Sequence, residues 1–448
     1  MLGGGIRRGV KRKNIACGDA TVSRPSLETE MALTRREYLT ASALLPFAAS
    51  AGAAIRSRAM LTSKQPSRLP NKRSFAATDV AYLDSGTMHP VSLAAKAAVA
   101  TYLAERSLDP AAPGHLDEDE PRAKFAKLIN AEPEEIAFVQ STTMGEQIVL
   151  KALGLPSAGA HIVTDTLHFF GSFPLYEGLA KQGCEVTWLR PKQGRIAIAD
   201  MQRAVRKGTR LVALSLVSTY NGFEHDLKAV CDIAHANGAL VYADIIHAAG
   251  CVPIDVRASG VDFAACASYK WLMGDFGLGF LFARKDRQQQ LARTQFGYYG
   301  IASFASHVYP YDPPSPTGAI ADYSFQDSAM GHFAYGTYSH MGVAQLSHSL
   351  DYILGLGVDR IQAHSQRLTD RLKSELPRLG YTLATPPEAR TPIVTCILPG
   401  SRDKLKSRLD AAKVKIMLTK NRFRITPSVF NDMSDIDRLL AALGRAPA

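Results

Sequence analysis

An α/β architecture, with a mostly parallel sheet in a large domain and a small α/β domain at the C-terminus, follows from three features of the chain. Between Ala137 and Ala283 short apolar runs alternate with helix-forming stretches, the pattern of parallel strands joined through covering helices. A shorter set of strands and helices closes the chain. Once an N-terminal leader is set aside, about 375 residues remain, enough for a large domain with its own core and a smaller companion. The division expected is a leader over 1–53, a linker or arm over 54–81, a large domain over 82–345 and a small domain over 346–448. There is no internal repeat.

The elements follow in order. An apolar stretch at Phe138-Val139 leads into a helix over 145–155. Strands are expected at 161–164, 210–217, 240–244 and 279–283, with helices over 173–182 and 227–237 between them. The segment 295–339 resists assignment: it carries seven tyrosines and a turn at Pro310, Pro313, Pro314 and Pro316, and reads either as a lid over a site or as subunit packing. The tail gives strands at 393–398, 414–418 and 422–426 and helices over 402–412 and 434–443.

Asp244 ends one of these runs, and sheets of this kind collect ligands at the carboxyl ends of their strands. Lys270 follows twenty-six residues later, just past another apolar run. An amine that can form a Schiff base and a carboxylate that can keep a pyridine nitrogen protonated are what pyridoxal phosphate requires. Ser141, Thr142 and Thr143 lie at a helix start, where free N–H groups and the helix dipole favour a phosphate. Singly, each has a plain structural explanation: a solvent-facing lysine, a capping aspartate, a hydroxyl cap. Together they occur in the order that one phosphate cofactor needs.

Over residues 82–443 the chain resembles the class V aminotransferase family, which includes cysteine desulfurases and isopenicillin N epimerase-like enzymes. The resemblance rests on Tyr82-Leu83-Asp84-Ser85-Gly86-Thr87, the phosphate loop Ser141-Thr142-Thr143, Asp244, and Ser268-Tyr269-Lys270. It implies the type I fold of pyridoxal-phosphate-dependent transferases, with Lys270 as the Schiff-base lysine, Asp244 as partner of the pyridine nitrogen and Ser268 as a phosphate ligand. By the same resemblance His168 stacks on the cofactor ring and His247 contacts its phenolic oxygen. Gly336-Thr337 corresponds to a pair that reaches the phosphate of a neighbouring subunit, which implies a homodimer. Arg424, followed by Pro427-Ser428-Val429-Phe430-Asn431, corresponds to the arginine that grips a substrate carboxylate through two hydrogen bonds.

Departures from the family pattern narrow the chemistry. Cysteine desulfurases carry a nucleophilic cysteine on a loop shortly before the arginine motif, and residues 413–424 here hold none. Persulfide transfer is therefore not expected. Tyr269 stands where a histidine usually precedes the lysine, and Thr219 stands where an asparagine is usual. The expectation is an enzyme acting on the amino group or α-carbon of an amino acid or peptide-like metabolite, by aminotransfer, epimerisation, elimination or oxidative tailoring. Sulfur chemistry of the desulfurase or lyase type, or a non-catalytic binding protein on the same fold, are the alternatives.

Charge is concentrated at the N-terminus. Residues 1–73 hold fourteen Lys and Arg against four Asp and Glu, which reduces the 52 basic and 41 acidic residues of the whole chain to 38 and 37 in the remainder. The basic balance is thus a property of the leader, and no nucleic-acid partner is expected. Arg35-Arg36 precedes a weakly apolar run over 40–55 with Ala51-Gly52-Ala53 as a small-residue cleavage pattern. This reads as an export signal for the twin-arginine translocase, placing the mature protein in the periplasm or outside the cell; an uncleaved membrane anchor is the alternative. Met31 is a second plausible start. Cys17, Cys184, Cys231, Cys251, Cys266 and Cys396 show no CxxC spacing, so neither a metal site nor a disulfide framework is expected.

Overall fold

The computed structural model describes residues 68–110 and 116–447; the leader, with Arg35, Arg36 and the expected cleavage pattern, lies outside the described residues. After a short first strand, β1 (Ala81–Tyr82), come the strands of a seven-stranded sheet: β2 (Ile136–Val139), β3 (His161–Asp165), β4 (Glu185–Leu189), β5 (Thr209–Ser215), β6 (Leu240–Asp244), β7 (Phe263–Ala267) and β8 (Gly279–Ala283). Their spatial order is β2-β8-β7-β6-β5-β3-β4. From β4 through β3, β5 and β6 to β7 all pairs are parallel, and β8 runs antiparallel to both β7 and β2. Strands covered on both faces need no polar side, and β2 and β6 to β8 are almost wholly buried. The edge strand β4 is only half-buried.

Crossover helices build the faces. Helix Leu227–Ala236 buries Leu227, Val230, Cys231 and Ala234, spaced to form one stripe, and Asp226 caps it by accepting from the Ala229 N–H at 3.0 Å. The first helix of the sheet spans Thr142–Ala152, starting three residues ahead of the 145–155 expected, because Ser141 caps it at 3.1 Å through the Met144 N–H. A hydroxyl cap decides where a helix begins more strongly than the glycine at 145.

The C-terminal part is a second sheet of β11 (Thr382–Leu383), β12 (Val394–Ile397), β15 (Arg422–Ile425) and β14 (Met417–Leu418), with helices Ser401–Ala411 and Met433–Leu443 packed on it. The single strand expected over 414–418 is two: β13 (Val414–Lys415) pairs with β1, and β14 pairs with β15. Ala81 and Leu83 therefore pack in the C-terminal core with Val394, Phe423 and Leu439. The boundary expected at 345/346 falls inside helix His340–Leu356, whose Val343, Leu346, Leu350 and Ile353 join the core of the large sheet. Within 295–339 the structure forms a hairpin, β9 (Ile301–Ser306) against β10 (Ala321–Phe325), followed by helix Ala329–Phe333.

Gly145 sits where helix Thr142–Ala152 touches β7: a β-carbon there would meet that of Ala265 at 2.8 Å. The missing side chain lets the helix lie close enough for its N-terminus to overhang the strand ends. Gly145→Ala is expected to destabilise the protein by about 1–3 kcal/mol through overpacking, measured as a lower denaturant midpoint with unchanged slope. A midpoint equal to the wild type would show that the helix has room to move.

Candidate active site

The carboxyl ends of β5, β6 and β7 and the start of helix Thr142–Ala152 are stitched together by hydrogen bonds. The Thr142 hydroxyl accepts from the Ala267 N–H at 2.9 Å, and the Tyr242 hydroxyl donates to the Thr142 carbonyl at 3.4 Å. Thr142 thereby keeps its own hydroxyl hydrogen for another acceptor. Ser141 is occupied as the cap, and Thr143 is half-buried beside it. First-turn N–H groups have no acceptor within their helix, so this end can hold an anion.

Asp244 is buried at the end of β6. Its carboxylate accepts from the Ile246 N–H at 3.0 Å and from the Ser215 hydroxyl at 3.2 Å. Burial pushes its pKa up, while His168, the Ile246 N–H and Lys270 pull against that rise. His168, fully buried, reaches Ser215 through Nδ1 at 2.8 Å and Glu146 through Nε2 at 2.9 Å. Glu146 also accepts from Ser172 at 2.6 Å and Tyr176 at 2.7 Å. The sequence reading assigned Glu146 no role. Its signal was there: it replaces an apolar residue on the stripe that continues through Val149, Leu150 and Leu153.

Lys270 stands beyond the end of β7 with its amine 2.9 Å from His247 Nε2. Burial lowers its pKa to about 8, against Asp244, which raises it; Arg424 adds to the lowering. Burial likewise holds His247 well below the ordinary imidazole range, helped by Lys270 and Arg424. The Trp271 indole N–H points to His247 Nδ1 at 3.5 Å. His247 thus contacts the Lys270 amine directly, and the charges of Asp244 and Arg424 act on that same amine.

Arg424, on β15, is brought in from the C-terminal sheet. Its Nη1 donates to the Thr219 hydroxyl at 2.6 Å and carbonyl at 3.2 Å, and its Nη2 donates to the Thr87 hydroxyl at 2.9 Å, with Asp84 at 3.8 Å. Burial lowers its pKa to about 10, opposed by Asp84. Its Nε–H is buried with no partner among the protein's own groups. Thr219, noted above as a departure, is thus one of the groups that aim this guanidinium. Tyr269 lies with its ring centroid 4.5 Å from that of Phe276.

Two expected residues stand differently. The Ser268 hydroxyl is buried, with the Asp275 carbonyl at 2.8 Å and the Leu278 carbonyl at 2.7 Å sharing its one hydrogen, which ties that loop against β7. A phosphate contact from Ser268 requires that hydroxyl to change acceptor. Thr337 is exposed, in a turn where Gly336 takes φ of 144°, outside the buried set.

The donor set fits pyridoxal phosphate: a helix start and the Thr142 hydroxyl for the phosphate, buried Asp244 for the ring nitrogen, a deprotonatable Lys270 for the aldehyde, His168 and His247 alongside. Comparison with known proteins agrees. Residues 115–419 match the family described as Aminotransferase class-V. A probable cysteine desulfurase of Methanothermobacter thermautotrophicus is 28% identical over 302 residues, covering 66% of this chain and 72% of that one. The uncharacterized aminotransferase YcbU of Bacillus subtilis is 26% identical over 315 residues, 70% and 80% of the two chains. The structure of a C-DES mutant with glycine covalently linked to its pyridoxal-phosphate cofactor superimposes with a TM-score of 0.72 at 20% identity, covering 84% of this chain and 99% of that one. The fold is that of type I pyridoxal-phosphate enzymes, the cofactor is pyridoxal phosphate, and the chain belongs to the class-V aminotransferase family.

Proposed function

We propose that this is an exported pyridoxal-phosphate enzyme acting on the amino group or α-carbon of an amino acid or peptide-like metabolite, by aminotransfer, epimerisation, elimination or oxidative tailoring. The observation that carries the reading is the pairing, in one buried site, of a lysine pushed to about 8 with a guanidinium that still has an unclaimed N–H. An amine and a carboxylate on one substrate answer to those two groups. Pure binding would need neither a lysine so placed nor the Asp244 carboxylate behind it.

When bound, the cofactor supplies an aldehyde for capturing amines and a ring that withdraws electrons. The protein's own groups do the rest. Asp244 would hold the ring nitrogen's proton, and Thr142 with the helix start would hold the phosphate. Lys270 would hold the cofactor's aldehyde, and its amine, when free, is the group placed to take or give a proton, since burial brings its pKa down to about 8. Arg424, aimed by Thr219 and Thr87, turns the carboxylate so that the amine faces Lys270.

Persulfide-forming desulfuration needs a reactive thiolate. Among the described residues the cysteines are all buried, and burial pushes the Cys266 thiol, which is electrostatically coupled to Asp244 and Lys270, well above its ordinary range. Carbon–sulfur cleavage by elimination asks for no such thiol and stays within the proposal. A homodimer belongs to the same reading, supported by exposed Thr337 and by Phe304, Tyr309 and Tyr323 standing exposed on the hairpin that precedes it. Export is supported by Arg35-Arg36 and by the charge confined to the leader.

Cofactor loading of the stripped protein, followed by absorbance, is expected to slow about tenfold per pH unit below pH 8 and to level off above it, as Lys270 loses its proton. Borohydride should then place pyridoxyl on Lys270 in a peptide map; a label on another lysine ends the assignment.

Arg424→Lys keeps the charge but loses the fork. KM for substrates with an α-carboxylate should rise roughly tenfold to a hundredfold, with little change for the matching decarboxylated amine. An equal effect on both would remove the carboxylate from the proposal.

Replacing Arg35 and Arg36 by lysine should leave folded, cofactor-loaded protein inside the cell. Fractionation that finds the unaltered precursor retained in the cytoplasm of its native host would refute export while leaving the chemistry untouched.

A further inference from the structure

Glu146 has no part in holding the phosphate, the aldehyde or a substrate, yet it is a carboxylate buried among the groups that do. Three donors converge on it: the Ser172 hydroxyl, the Tyr176 hydroxyl and His168 Nε2. The serine and tyrosine hydroxyls give their hydrogens to this carboxyl, and together with His168 they hold its pKa below the ordinary carboxylate range against the effect of burial, so the hydrogen shared with His168 rests on Nε2. Glu146 is therefore the anion, and Nε2 of His168 carries a hydrogen. On the other side of the ring, Ser215 donates its single hydrogen to Asp244, so its oxygen accepts from Nδ1 of His168. Both ring nitrogens are then donors, and the imidazole is a cation between two carboxylates.

We propose that Glu146 is a positioning residue that keeps His168 doubly protonated and, through the Ser215 bridge, keeps Asp244 in its carboxylate form to face the cofactor's ring nitrogen. This rests on the pyridoxal-phosphate reading. The hydrogen-bond chain runs Asp244, Ser215, His168, Glu146, and it ends on Ser172 and Tyr176.

All but one of the charged neighbours agree in sign: Glu146 itself nudges Asp244 upward, the smallest effect on that carboxyl, and the larger lowering by His168, which Glu146 keeps charged, outweighs it. Burial disfavours a charged His168, but Glu146, Asp244 and Asp165 outweigh it and raise its pKa. Burial also disfavours a charged Glu146, and His168, Ser172 and Tyr176 reverse that. Tyr176 and Tyr242 are pushed well above the ordinary phenol range, by burial first and then by Glu146, so they remain neutral donors. Burial first, and then Asp244, keep Cys266 a thiol, and Lys270 lowers the pKa of Asp244. His225 faces Asp165 at 3.3 Å. Without Glu146 the proton has a competing home on Asp244, which is itself raised by burial. A protonated Asp244 can no longer hold the ring nitrogen's proton by charge, and the electron sink weakens.

The test is nitrogen NMR of histidine-labelled protein, as holoenzyme and after stripping the cofactor, with His168 identified by the signals missing in His168→Asn. Both ring nitrogens should read as N–H in the wild type at pH 7, above the ordinary imidazole midpoint. In Glu146→Gln one nitrogen should lose its hydrogen and the titration midpoint fall by about 1–3 pH units; Glu146→Asp should restore much of the shift. A bare ring nitrogen in the wild type at pH 7 would overturn the proposal, as would a Glu146→Gln spectrum like the wild type. Should Glu146→Gln not fold, the wild-type spectrum decides alone. Failure of the cofactor reading is separate: it shows as absent cofactor absorbance and leaves the stripped protein's His168 signals as they are.

Discussion

Taking an ion out of water costs several kcal/mol, and this protein does so at least five times within one site: Asp244, Glu146, His168, Lys270 and Arg424 are all buried. None is buried alone. His168 sits between Glu146 and Asp244, Asp244 draws Lys270, and Arg424 has Asp84 within 3.8 Å. The partners come from different strands and helices, so the cancellation holds only if the sheet order is as it is. β5 supplies the bridging Ser215, β6 the Asp244 beside it, and β7 the exit toward Lys270. An interchange of strands would leave an unpaired charge in the interior, a cost no local propensity could offset.

Much of this was legible in the primary structure. β6 and β8 lie at the residues expected for them, because each is an apolar run with polar or glycine punctuation, and Asp244 and Lys270 stand at the strand exits for that reason. Arg424 could be told from Arg422 by the motif that follows it. What could not be read was set by distant partners. Val414 and Met417 look like one strand in sequence, but they pair with segments far apart in the chain, Ala81–Tyr82 and Arg422–Ile425. The hairpin of β9 and β10 is largely exposed on both faces, so it offers no alternation of buried and open positions to read. Glu146 was passed over because a lone acid in an apolar helix stripe gains its meaning only from His168, Ser172 and Tyr176, which arrive from elsewhere in the chain.

The same dependence explains why the conservative-looking departures are not idle. Thr219, shorter than the asparagine it replaces, brings both its hydroxyl and its carbonyl to Arg424. Ser268 keeps its place before the lysine but directs its hydroxyl to the Asp275 and Leu278 carbonyls. A residue's identity states what it can donate or accept; the fold selects the recipient.

The pairing of β1 with β13 has a kinetic consequence. Residues 81–83 close the C-terminal core only when residues 414–443 have been made, and Thr87 meets Arg424 only then. Contacts spanning more than three hundred residues are as non-local as this chain allows, and such contacts form late. The nascent chain can thus assemble its main sheet while still on the ribosome, but it cannot complete the pocket that aims the guanidinium. The half of the site proposed to grip substrate comes into being only after residues 414–443 have been made, so a polypeptide that stops short of them carries the lysine without the guanidinium.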